Sequence, residues 1–113
     1  MKMKTLSSLV LLIFLTGCFD FPTEEMNNKF GDQHFKTAIS LIELHKIRYG
    51  EYPESLEKLK FTGDWDAIIY HSVEYTKEKE GYKLIVTQGF TDKPNLNYPD
   101  EFYQGLGMIN RLK

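Results

Sequence analysis

Residues 29–49, KFGDQHFKTAISLIELHKIRY, decide the fold. Phe30, Phe35, Ala38, Ile39, Ile42 and Tyr49 recur near helical spacing, while Lys36, Glu43, Lys46 and Arg48 supply a polar face, so the stretch predicts a long amphipathic helix. Gly50 follows where the backbone commonly turns left-handed after a helix end, and Lys46 and Arg48 suit the negative end of the helix dipole.

Working toward the carboxy terminus, Pro53 fits the first turn of a short second helix, with Leu56 and Leu59 on one side to fold back on the long one. Phe61-Thr62-Gly63-Asp64 reads as a turn. The run Ala67 to Tyr75 is rich in β-branched and aromatic residues. After a charged turn at Lys77–Gly81, a second such run spans Tyr82 to Thr87, which predicts an antiparallel hairpin. Ala67, Ile69, Val73 and Tyr75 would share one face of the first strand, and Tyr82, Leu84 and Val86 one face of the second. Beyond Phe90, Pro94, Asn95, Asn97 and Pro99 predict an irregular connection that leads to a third strand or a short helix. The fold class is therefore α+β, a long amino-terminal amphipathic helix packed on a small antiparallel sheet.

Working toward the amino terminus, Lys2 and Lys4 precede the apolar stretch Leu9–Leu15, the charged-then-apolar order of a secretory signal. That run is shorter than the roughly 20 apolar residues a membrane-spanning helix needs. Leu15-Thr16-Gly17-Cys18 then resembles the lipobox of bacterial lipoproteins. The resemblance implies cleavage after Gly17, lipid (palmitate among it) on Cys18, and a chain held to the membrane through that lipid. Phe19 in place of Asp after the Cys implies outer-membrane rather than inner-membrane residence, facing the periplasm. Cys18 is the only cysteine, so an exported chain has no intramolecular disulfide to form. Asp20 to Asn28 lack apolar periodicity and read as a tether. The expected organisation is 1–17 signal peptide, 18–28 lipidated Cys and tether, and 29–113 globular domain.

At 113 residues, with 42% apolar and 14% aromatic content, the chain suits one packed domain rather than two or a disordered tail. Its formal charge of -2 falls to -4 once Lys2 and Lys4 are removed, which argues against nucleic acid as a partner.

Tyr49-Gly50-Glu51-Tyr52-Pro53-Glu54-Ser55-Leu56-Glu57-Lys58-Leu59, between an amphipathic helix and a hairpin, resembles the start of the globular head of type IV pilins and type II secretion pseudopilins. The resemblance implies a helical spine on an antiparallel sheet. The lipobox departs from the long apolar helix through which pilins polymerise. In the major pseudopilins a carboxy-terminal loop binds calcium. Asp92 and Asp100 lie in a comparable region here without reproducing the ligand pattern, so no metal is expected.

His34 and His45 stand eleven residues apart on the predicted helix, about 16 Å, too far to share an ion. His71 has no neighbouring His or Cys in the sequence. Asp64 and Asp66 flank Trp65 next to a turn and read as solvated turn residues. Gly105-x-Gly107 is too short a motif for a phosphate loop. The expectation is a non-enzymatic protein without cofactor, which binds an envelope protein as a structural or adaptor module. The alternative is an inhibitor or immunity lipoprotein against a secreted hydrolase or toxin. Trp65, Tyr70, Phe102 and Tyr103 are the candidate contact residues, because aromatics dominate interface energetics.

Overall fold

The computed structural model describes residues 23–60 and 62–112. The signal segment, the lipobox with Cys18, and residues 19–22 lie outside the described residues. The first element is helix α1, Thr23–Tyr49, whose 27 residues span about 40 Å. It carries Glu24 and Glu25 in its first turn and Lys46 and Arg48 in its last, matching the positive and negative ends of the dipole. Gly50 closes it at φ 80°, and its N–H donates to the Lys46 carbonyl oxygen at 2.8 Å.

The tether expected through Asn28 is corrected here, since Thr23–Asn28 are the opening turns of α1. Their polar residues look like a linker in sequence but are used by partners far along the chain. The Asn27 Oδ1 accepts the N–H groups of Phe90, Thr91 and Asp92 at 2.9, 2.7 and 3.0 Å, and the Asn28 Oδ1 accepts that of Asn95 at 2.8 Å.

The buried stripe of α1 runs Asn27, Gly31, His34, Phe35, Ala38, Ile39, Ile42, a spacing of three and four throughout. After the helix, Leu56–Lys58 form one 3-10 turn that places Leu56 and Leu59 in the core, with Pro53 fully buried beside them.

The hairpin is shorter than its composition suggested. Strand β1 is Val73–Glu78 and strand β2 is Gly81–Val86, antiparallel, in a register that pairs Val73 with Val86, Tyr75 with Leu84 and Glu78 with Gly81. Ala67 and Ile69, expected on the first strand, are instead in a 3-10 turn (Asp66–Ile68) and a helical turn (Ile69–Ser72). Ile69 is wholly buried there, so the apolar run serves the core from a helical backbone. Tyr82, Leu84 and Val86 do share the inner face of β2, as their alternation implies, and all three are buried. The chain is thus α+β, a long helix packed with a two-stranded antiparallel sheet.

Residues 87–112 wrap this frame with little regular structure. A 3-10 turn at Asp100–Tyr103 sets Tyr98, Phe102 and Tyr103 against α1, with Phe35 stacked 5.3 Å from Tyr98 and 6.0 Å from Phe102. Residues 107–110 then cover the outer side of β2. Tyr82 N–H donates to the Gly107 carbonyl, and Ile109 N–H donates to that of Tyr82. The Asn110 side chain extends the ladder by both accepting from and donating to the Leu84 backbone, each at 2.8 Å. Leu96, Tyr103 and Met108 from this segment join the core.

Candidate functional site

The expected site residues separate into three groups. Cys18 lies outside the described residues. Phe102 and Tyr103 belong to the aromatic packing just described, Tyr103 buried within it and Phe102 with part of its surface open. Tyr103 is 5% exposed, and its hydroxyl accepts the Leu112 N–H at 2.9 Å. Phe102 is half-buried, stacked 4.3 Å from Tyr98 and edge-on to Tyr103 at 5.1 Å. An Asp-Glu-Phe-Tyr run gives no local sign of its partner helix, some 65 residues earlier.

Trp65 is the residue that faces solvent, 87% exposed, with Tyr70 half-buried at the margin of the core. The turn that carries Trp65 is well braced. The Asp66 carboxylate accepts the Gly63 N–H at 2.8 Å, Asp66 N–H donates to the Gly63 carbonyl at 3.1 Å, and Ile68 N–H donates to that of Trp65 at 3.3 Å. The neighbouring Ile69 is fully buried, and the Ser72 hydroxyl closes the helical turn onto the Ile68 carbonyl at 2.9 Å. Asp66 therefore closes the turn through the Gly63 N–H, three residues earlier. Trp65 and the 43% exposed Ile68 are held out from it on an ordered backbone that packs against α1.

A second apolar feature escaped the sequence reading. Phe30, assigned to the inner helix face, is 37% exposed and stacks at 5.4 Å on Phe90, which is 49% exposed. The pair forms because Asn27 and His34 fix the loop after β2. The His34 Nε2–H donates to the Gly89 carbonyl at 3.0 Å, three residues short of the last N–H that Asn27 holds. No local signal at Phe90 announces this arrangement.

The polar interior is centred on Glu43, which the periodicity placed on the solvent face. Its carboxylate accepts from the hydroxyls of Tyr52 and Tyr82, both at 2.8 Å, and from the Gly107 N–H at 3.0 Å. Burial, followed by the bond to Glu43, pushes the Tyr52 hydroxyl up to about 12 and raises that of Tyr82 further. Burial also pushes Tyr75 up to about 12, with the Glu54 charge adding to it. These phenols stay protonated at neutral pH, so each Tyr–Glu43 contact is a charge-assisted bond from a neutral donor.

The remaining titratable candidates are dispersed. His45 donates through Nδ1 to the Glu51 carbonyl at 3.0 Å, and His71 is exposed. Asp92 accepts the Lys93 N–H, while Asp100 pairs with Arg111 at 2.6 Å. Among the described residues no group of three or more His, Cys, Asp or Glu gathers as a metal site would.

A shallow groove of about 320 Å³ lies beyond the end of α1, lined by His45, Tyr49, Tyr52, Lys58 and Lys60 among others. Lys60 sits over the Tyr49 ring at 5.5 Å and Lys46 over that of Tyr52 at 5.3 Å, so cations already occupy the aromatic faces. Exposed apolar side chains include Trp65 on its braced turn and the stacked Phe30–Phe90 pair. No protein-family model, no curated protein and no solved structure matches this chain.

Proposed function

We propose that this chain is a membrane-anchored, non-enzymatic lipoprotein, acylated on Cys18 and held at the bacterial outer membrane facing the periplasm. Its α+β head acts as an envelope structural or adaptor module of pilin-head type. The address rests on Leu15-Thr16-Gly17-Cys18. The observation that carries a binding role is Trp65, 87% exposed on a turn closed by Gly63 and Asp66. A turn whose backbone is already fixed loses little further backbone freedom when a partner covers the indole it carries, and tryptophan is enriched among the residues that dominate interfaces. The helix-on-hairpin arrangement supports the pilin-head part of the reading.

The test is purification of the anchored protein and its Trp65→Ala variant from native envelopes, with mass spectrometry of the amino-terminal peptide and of co-purifying proteins. The expected result is acylated Cys18 and a stoichiometric envelope protein whose affinity falls about thirtyfold or more in the variant. An unmodified Cys18 defeats the lipoprotein reading. A secreted hydrolase or toxin as the stoichiometric partner replaces the adaptor with an inhibitor.

A further inference from the structure

Phe30 and Phe90 form a stacked, partly exposed apolar pair near the start of α1. The loop that carries Phe90 is bound to the helix through Asn27 Oδ1, which accepts three consecutive N–H groups, and through His34 Nε2 on the Gly89 carbonyl. Gly89 N–H also donates to the Asp92 carbonyl at 2.8 Å, closing the loop on itself. The two rings are parallel to within 22° and both face solvent in part. Phe30 also stacks at 6.3 Å on the buried His34 ring, so the pair roofs the anchor of the loop on one side and leaves apolar surface open on the other.

We infer that the Phe30–Phe90 pair docks into the lipid surface in which the chain is anchored, fixing the orientation of the head on the membrane. The inference rests on the lipoprotein reading, and the position of the pair relative to the anchor supports it. Five peptide units join Cys18 to Thr23, a span of at most about 18 Å. Phe30 is seven residues into the helix, a rise of about 10 Å. A lipid on Cys18 therefore keeps this end of the domain within reach of the bilayer interface, where phenylalanine side chains insert to a depth of about 5–10 Å.

The charges around the pair suit apolar insertion rather than attraction to anionic lipid. Lys29, next to Phe30 in the chain, is paired with Glu25 at 3.6 Å. Lys93 and Asp92 add one charge of each sign. Docking should therefore be indifferent to the anionic fraction of the membrane.

The test uses the mature lipoprotein with Phe90→Trp and Trp65→Phe, which leaves one indole at the pair. It is reconstituted in phosphatidylethanolamine–phosphatidylcholine vesicles whose acyl chains are brominated near the headgroup. The expected result is a blue-shifted emission and a loss of about half its intensity, at the depth typical of interfacial insertion. Adding phosphatidylglycerol should leave both unchanged. Hydrogen exchange without the two aromatic substitutions gives an independent reading, with slower exchange of residues 89–93 in the acylated protein on vesicles than in a lipid-free Cys18→Ser protein in solution.

With Cys18 acylated by mass spectrometry, an unquenched, water-like indole and unchanged exchange overturn docking alone. A blue-shifted but unquenched indole means that protein covers the pair, either a second copy or residues 19–21, and overturns it too. Cys18 without lipid overturns docking together with the lipoprotein reading.

Discussion

Glu43 gathers three donors that come from 9, 39 and 64 residues away along the chain. Hydrogen bonds to a charged group contribute about 1.5–3 kcal/mol each, and removing the acceptor strands the donors. Glu43→Ala should therefore cost about 3–4 kcal/mol in urea unfolding, and Glu43→Gln less, because its amide oxygen still accepts. The phenols around this carboxylate also predict alkaline behaviour. Tyr52 and Tyr75 titrate near 10 when unfolded and at about 12 when folded, so the folded state holds more protons between those values. Their contribution is intact below pH 10 and is lost as pH rises through 12. The urea midpoint should fall over that window, and the double Tyr52→Phe, Tyr75→Phe variant should show a flatter decline. At this scale the sequence misleads, because periodicity sorts residues by polarity. Glu43 reads as solvent-facing until its distant donors are known.

The elements were more legible than their edges. The spacing of Phe35, Ala38, Ile39 and Ile42 marks α1, and the alternation of Tyr82, Leu84 and Val86 marks β2, because each pattern follows from the element's own geometry. Ile68-Ile69-Tyr70 was misread as strand, since β-branched content alone does not separate a buried strand from a buried helical turn. The fit of α1 to the carboxy-terminal wrap yields two further expectations. At Gly31 an added Cβ would lie 2.5 Å from the Pro94 side chain. Gly31→Ala should thus destabilise the fold, although alanine improves helix propensity by about 1 kcal/mol. A thermal unfolding midpoint above that of the unsubstituted chain would contradict this. Asn27→Leu removes the acceptor of three N–H groups and should cost about 2–3 kcal/mol, with faster amide exchange at residues 90–92. Asn27→Asp keeps an acceptor in place and should be milder.

The whole molecule depends on the segment that reads most weakly in sequence. Residues 89–112 carry few local signals because their order comes from α1 and β2, through Asn27, Asn28, Asp32 and Asn110, and from aromatic stacking on Phe35. Leu96, Tyr103 and Met108 each bury an apolar side chain worth about 1.5–3 kcal/mol, which together rivals the net stability of a small domain. A chain ended after Gln88 should therefore lose cooperative urea unfolding by circular dichroism. A preserved sigmoidal transition would show that the helix and hairpin suffice. The candidate surface was legible to a similarly limited degree. Trp65 stands out beside Gly63 and Asp66, whereas the Phe30–Phe90 pair exists only once the wrap is in place. The side-chain amide of Asn110 on Leu84 has a consequence for assembly. Among the described residues, 107–110 close off the outer side of β2, so a further strand would extend the two-stranded sheet at β1. A sheet occupied on one side can accept a neighbouring strand on the other alone, which allows pairing but not growth on both sides.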